Sequence, residues 1–69
     1  MTGPDGLSLA RKHVTRGREI VAKQRDLIHA IRAHGRDITL HEELLVAFER
    51  SLAIFEADLA DLLKKEETA

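Results

Sequence analysis

The chain has 69 residues, a net charge of −1, no cysteine, and two phenylalanines as its only Phe, Tyr or Trp residues. This length allows one domain with a small core, and without disulfide bonds such a core is commonly completed by a partner chain. The composition argues against a membrane-spanning helix, since no apolar stretch approaches about 20 residues, and against a base-stacking nucleic-acid surface, which needs aromatic side chains.

The first predicted element is a helix over residues 7–34. Residues 1–6 include two glycines and a proline, and this composition predicts a disordered lead-in. From Leu7 onward, apolar residues recur at alternating spacings of three and four, the pattern of a coiled helix. One core line is Leu7, Val14, Val21 and Ile28, and the other is Ala10, Gly17, Gln24 and Ile31.

Two members of the second core line are not apolar side chains. Gly17 weakens a helix by about 1 kcal/mol relative to alanine, so we predict that it permits a close approach of another helix. Gln24 has two interpretations. In an apolar layer its amide needs a hydrogen-bond partner and can then fix register or oligomeric state. Alternatively, Gln24 lies at a wet edge of the seam.

A turn is predicted over residues 35–39 and a second helix over residues 40–65. Gly35 supplies the left-handed residue that ends a helix. Thr39 followed by Glu42 matches a capping box, in which the hydroxyl and the carboxylate satisfy early amide groups. A frayed polar tail is expected at 66–69. The core lines of the second helix are Leu45, Leu52 and Leu59, and Phe48, Phe55 and Leu62.

Charge separates the two halves of the chain. Residues 7–34 carry seven basic and two acidic side chains, and residues 40–67 carry three basic and eight acidic ones. The spacing is regular, because arginines and glutamates each recur every seven residues, at Arg11, Arg18, Arg25 and Arg32, and at Glu42, Glu49 and Glu56. A reversal near Gly35 lays one row along the other.

This reversal predicts an all-α fold, an antiparallel two-helix hairpin resembling a coiled coil. A charge ladder then pairs Arg18 with Glu56, Arg25 with Glu49, and Arg32 with Glu42. Keeping this alignment also predicts the core layers, with Val21 opposite Phe55, Gln24 opposite Leu52, and Gly17 opposite Leu59.

A second apolar face flanks the core on the side away from the arginines. It consists of Ile20, Leu27, Leu40, Leu44, Ala47 and Ile54. A helix that is apolar over most of its circumference is usually buried on more than one side. We expect the hairpin to form a homodimeric four-helix bundle through this face. The same residues could instead receive a helix of another protein.

Catalytic and metal-binding patterns are weak. The sequence has no Ser/His/Asp order, no cysteine nucleophile and no glycine-rich phosphate loop, so we expect no enzyme activity, catalytic residue or cofactor. It has four histidines but no Glu-x-x-His motif, so no metal site is predicted. A surface site at the turn, built from His34, Asp37 and His41, is the weaker alternative.

These observations favour a non-enzymatic protein that acts through self-association and protein–protein interaction. Such a function includes a regulatory role as one possibility. The alternative is a nucleic-acid-binding accessory protein, in which Lys12, Arg16 and Lys23 contact phosphates. The balancing acidic helix and the few aromatics disfavour that alternative. Residues 1–9 lack a basic region followed by an apolar run, so no secretory signal is predicted and the cytoplasm is the expected location.

Several segments resemble a group of small bacterial proteins of unknown function. The similar segments are residues 17–21, 24–28, 35–39, 43–45 and 48–52. The turn and the Phe-Glu-x-Ser-Leu segment are the most specific of them, and the resemblance spans residues 14–60. It implies a helical hairpin and carries no activity or catalytic residue.

Overall fold

A computed structural model describes residues 3–68, which form two α-helices, α1 (Gly3–Ala33) and α2 (Thr39–Thr68). The chain reverses at residues 34–38, and the helices pack against each other along a molecule of 53 × 16 × 15 Å. The predicted all-α antiparallel hairpin is confirmed.

Both helices extend beyond their predicted outer ends. α1 begins at Gly3 instead of Leu7, so residues 3–6 of the expected disordered lead-in are helical, while residues 1–2 lie outside the described residues. Proline is compatible with a first helical turn because its missing N–H has no intrahelical acceptor there. α2 continues through residues 66–68 of the expected tail, and Ala69 lies outside the described residues. Lysine and glutamate, which fill this last turn, are good helix formers.

α1 ends in a Schellman motif. Gly35 has φ of 72°, its N–H donates to the Arg32 carbonyl at 2.9 Å, and the Arg36 N–H donates to the Ile31 carbonyl at 3.2 Å. These two bonds satisfy carbonyls that the end of a helix leaves free. The left-handed conformation strains any residue with a Cβ, so the predicted role of Gly35 is confirmed.

Asp37, not a capping box, organises the start of α2. Its Oδ1 accepts the Thr39 N–H at 3.0 Å and the Thr39 hydroxyl at 2.7 Å, while the Glu42 N–H donates to the Ile38 carbonyl at 2.8 Å. The prediction of a Thr39–Glu42 capping box is therefore wrong. An aspartate that binds the amide two residues ahead forms an Asx turn, and here this turn engages the hydroxyl that the capping box required.

The core follows the heptad lines. On α1 every residue of the two predicted lines is buried or half-buried, and on α2 every residue of its lines is half-buried. Each α2 line begins one heptad earlier than predicted, at Ile38 and His41, which are also half-buried. Among the side chains of residues 6–67, the buried ones all lie on α1, namely Ala10, Val14, Val21, Gln24 and Ile28.

Gln24 belongs to this core. It is 8% exposed, and its Nε2 donates to the His41 carbonyl at 2.9 Å. The interpretation that places Gln24 at a wet edge is therefore wrong, and the hydrogen-bonded interpretation is correct. The bond offsets the cost of desolvating the amide.

The core layers are displaced by one heptad from their predicted alignment. A Cβ built on Gly17 would lie 3.0 Å from Leu52 Cδ1 and 3.7 Å from Leu52 Cα. Gly17 therefore faces Leu52 and not Leu59. Phe55 stacks on His13, with ring centroids 4.9 Å apart and planes inclined by 15°, and His13 stands eight residues before Val21, the predicted partner of Phe55. The predicted use of Gly17 for close helix approach is confirmed.

Candidate interaction surface

The charge ladder lies along one side of the hairpin. In each pair an arginine Nη2 donates to a glutamate Oε2, at 3.2 Å for Arg18–Glu56, 2.7 Å for Arg25–Glu49 and 3.4 Å for Arg32–Glu42. The six side chains are 42–66% exposed, so water screens each pair, which contributes about 0–1 kcal/mol. The ladder therefore selects alignment more than it supplies stability.

Side-chain direction explains why the ladder and the core layers differ in alignment. Gly17 lies level with Leu52, so Glu56 stands five residues, or about 7.5 Å, beyond the position level with Arg18. Helical side chains lean toward the N-terminus of their own helix. In an antiparallel pair, Arg18 and Glu56 therefore lean toward each other and close this gap.

The second apolar face remains largely open on the hairpin. We use the name apolar face for the six predicted residues, of which Ile20 is half-buried and the others are exposed, namely Leu27, Leu40, Leu44, Ala47 and Ile54. Leu40 and Ile54 are the most open, at 67% and 61%. On α2 these residues follow spacings of four, three and seven, which place them on one stripe.

Other exposed apolar residues lie off this face or at its end. Val46, 46% exposed, stands four residues after Glu42 and three before Glu49, so it lies on the ladder side of α2. Leu9 and Leu63 are also exposed and were not among the predicted interface residues. Leu9 lies 11 residues, or about three turns, before Ile20, so it extends the apolar side toward the open end of the hairpin.

A shallow groove of about 340 Å³ continues the same side at the open end. Its walls include Leu9 and His13 from α1 and Asp58, Asp61 and Lys65 from α2. This side of the hairpin therefore changes from aliphatic near the turn to polar and charged near the open end. The carboxylates and the lysine of the groove all come from α2.

The histidines do not assemble a metal centre. Among the side chains of residues 6–67, no group of three or more His, Cys, Asp or Glu is placed to hold a metal ion, so the turn alternative of His34, Asp37 and His41 gains no support. His41 is half-buried, and its Nδ1 is buried without a hydrogen-bond partner in the described part of the chain. Its position, seven residues before Phe48, was the signal that places His41 on a core line.

Among residues 3–68, neither helix combines the length and apolar character needed to cross a membrane. No family model, curated protein or solved structure matches the chain. The resemblance to small bacterial proteins of unknown function therefore stays a prediction, and the apolar face is the feature on which a functional proposal rests.

Proposed function

We propose that this protein is a non-enzymatic helical hairpin that acts by self-association, with its apolar face packed against a second copy in a four-helix bundle. The observation that carries the proposal is the row of exposed aliphatic side chains on α2, led by Leu40 and Ile54, on the side opposite the charge ladder. Interaction with other proteins would then use the surface of the assembled bundle.

The amount of exposed surface supports a partner of this size. The chain exposes 5497 Å², whereas a folded monomer of 7.7 kDa exposes about 4,300 Å². The excess is about 1,200 Å², and a stable interface buries about 800 Å² on each partner. One two-fold interface therefore brings the surface of this hairpin into the ordinary range.

The energy of such an interface would come from apolar packing. Burying apolar surface contributes about 25 cal/mol per Å², so several aliphatic side chains amount to several kcal/mol. Each exposed ion pair contributes about 0–1 kcal/mol. Substitutions within the apolar face should therefore weaken the dimer far more than substitutions in the ladder.

Sedimentation equilibrium at micromolar concentration tests this proposal. We expect wild type to have twice the 7.7 kDa mass of one chain, and Ile54→Glu to approach the single-chain mass. Val46→Glu is the matched control, since it places the same charge on α2 at an exposed residue outside the apolar face. A folded wild-type monomer, or equal weakening by both variants, would contradict the proposal; circular dichroism reports whether each variant remains helical.

Nucleic-acid binding by α1 is the second candidate. Arg11, Lys12 and Arg16 line one shallow groove with Ser8, Thr15 and Glu19, so three cations and two hydroxyls suited to phosphate oxygens outnumber one carboxylate. The arginines of the ladder are already paired with glutamates. Fluorescence anisotropy of a labelled duplex at physiological salt tests this candidate. Binding that is lost in an Arg16→Glu variant would support it, and the absence of binding would remove it.

A further inference from the structure

We propose that the two copies pack with their turns at the same end, so that each α1 lies across from α2 of the partner. The two-fold axis then runs along the bundle. This inference rests on the proposed self-association and assigns the arrangement that self-association takes. The occupant of the apolar face is a second copy, chosen by charge as well as by area.

Charged residues of opposite sign border the apolar face on its two helices. On α1 the heptad line of Leu9 continues to Arg16 and Lys23, and on α2 the line of Ile54 continues to Asp61. Leu9 and Asp61 line the same groove, so both lines border this side of the hairpin. α1 therefore presents Arg16 and Lys23 beside the apolar face, and α2 presents Asp58 and Asp61, with Lys65 at the open end as the exception.

Two symmetric arrangements can bury the face. With the turns at opposite ends, α1 lies beside the partner's α1, and α2 lies beside the partner's α2. Ala47 lies near the centre of the face, five residues before Leu52. Because Gly17 is level with Leu52 and the helices are antiparallel, Ala47 is level with the residue five after Gly17, residue 22. Lys23 would then approach the partner's Lys23 near the two-fold axis, and like charges at an interface are unfavourable.

With the turns at the same end, helices of opposite charge alternate around the bundle. A two-fold axis along the bundle leaves axial positions unchanged, so α1 meets the partner's α2 in the same register in which it meets its own. Arg16 stands two residues before Arg18, and Asp58 stands two residues after Glu56. Arg16 and the partner's Asp58 therefore repeat the offset of the observed Arg18–Glu56 ion pair.

The same register extends to the open end and to the aliphatic part of the face. His13 and the partner's Asp61 have this offset too, and both residues line the open-end groove within one chain. Near the turn, Leu27 lies level with the region between the partner's Leu40 and Leu44. With both turns at one end, aliphatic side chains therefore meet aliphatic side chains, Arg16 approaches the partner's Asp58, and the contact between the two Lys23 side chains is avoided.

Spin-label distances distinguish the two arrangements, and the chain contains no native cysteine to interfere. A nitroxide at Arg36→Cys marks the exposed turn. Arg36 lies about 14 residues from the level of the face centre, which is about 21 Å at 1.5 Å per residue. With turns at opposite ends, the two labels lie on opposite sides of the centre and are separated by about 40 Å. With turns at the same end, we expect a distance below about 30 Å.

A nitroxide at Val46→Cys is the control. Val46 lies near the level of the face centre and outside the apolar face, so its label reports a dimer in either arrangement. Short distances at both sites support the inference. A distance of about 40 Å at Arg36→Cys with a short distance at Val46→Cys overturns the arrangement and leaves self-association intact. Loss of dipolar coupling at both sites overturns the inference together with the proposed function.

Discussion

Gly17 of α1 lies directly against Leu52 of α2: a Cβ built on Gly17 would lie 3.7 Å from the Leu52 Cα and only 3.0 Å from the Leu52 Cδ1, which is closer than ordinary van der Waals contact. This contact sets the separation of the two helices and fixes their axial alignment. A Cβ built on Gly6, also in α1, would have no neighbouring atom within 4 Å in the described part of the chain, so Gly6 serves as a control for substitutions at Gly17.

The first prediction compares Gly17→Val with Gly6→Val. We expect Gly17→Val to lower the free energy of unfolding by about 1–3 kcal/mol, because the added methyl groups overpack against Leu52. Gly6→Val should change it by less than about 1 kcal/mol, since it affects helix propensity alone. Urea denaturation followed by circular dichroism measures both values. Equal effects at the two positions would show that the helices are not in close contact at Gly17.

The second prediction concerns the best-formed ion pair, Arg25–Glu49, at 2.7 Å. Arg25→Glu should destabilise the hairpin by about 1 kcal/mol or less, because like charges then face each other in a solvent-exposed position. The double variant with Glu49→Arg restores the pair with its charges exchanged and should recover most of this loss. The same denaturation series in 1 M salt should shrink the coupling, since the Debye length falls to about 3 Å. A salt-independent coupling would contradict the assignment of this pair to the exposed surface.

The heptad pattern predicted the fold and nearly all of the core, but it chose the wrong core alignment. Residues seven apart are equivalent in that pattern, so Gly17 could face either Leu52 or Leu59. The ladder pairs favoured Leu59 when residue numbers were compared directly. Arg18 and Glu56 each lean toward the N-terminus of their own helix, so their side chains meet although their backbones are not level. Allowing for this lean makes Leu52, not Leu59, the residue opposite Gly17.

The helix ends were harder to predict for a related reason. Thr39 and Glu42 have the spacing of a capping box. In the structure the Thr39 hydroxyl donates to Asp37 instead, and Glu42 pairs with Arg32. Competition among nearby partners decides which polar group caps a helix, and spacing alone does not report that competition. The exposed residues of the apolar face could be predicted from periodicity, whereas the proposed arrangement of two copies rests on the core alignment, which periodicity left open.

The third prediction compares Gln24→Glu with Gln24→Met. Glutamate at pH 7 has no donor for the His41 carbonyl, so we expect a loss of about 3 kcal/mol from an unsatisfied buried charge. Methionine keeps the size of the side chain and should cost less than about 1.5 kcal/mol. Thermal unfolding at pH 7 and at acidic pH measures the difference, which should narrow in acid because a protonated carboxyl can donate. Equal stability of both variants at pH 7 would place this position in water.

The fourth prediction is a pH dependence at Asp37. The Thr39 N–H and then the Thr39 hydroxyl, both donating to the carboxylate, hold the pKa of Asp37 below its ordinary value of 3.8. A depressed folded pKa means that the charged group stabilises the fold fully above about pH 3.8, and that this contribution is lost as the pH falls through the folded value. We expect wild type to be more stable than Asp37→Asn at pH 7 and the difference to close in stronger acid. The other carboxylates are common to both proteins, so a difference that stayed constant down to pH 2 would contradict this role.

The central claim is that a second copy covers the apolar face, and the concentration dependence of thermal unfolding tests it most directly. Folding coupled to dimerisation makes Tm rise with protein concentration. With an unfolding enthalpy of about 0.7 kcal/mol per residue for both chains, a hundredfold increase in concentration should raise Tm by about 10 °C. A wild-type Tm that is the same at both concentrations would contradict the claim, because it would show a hairpin that unfolds as a single chain.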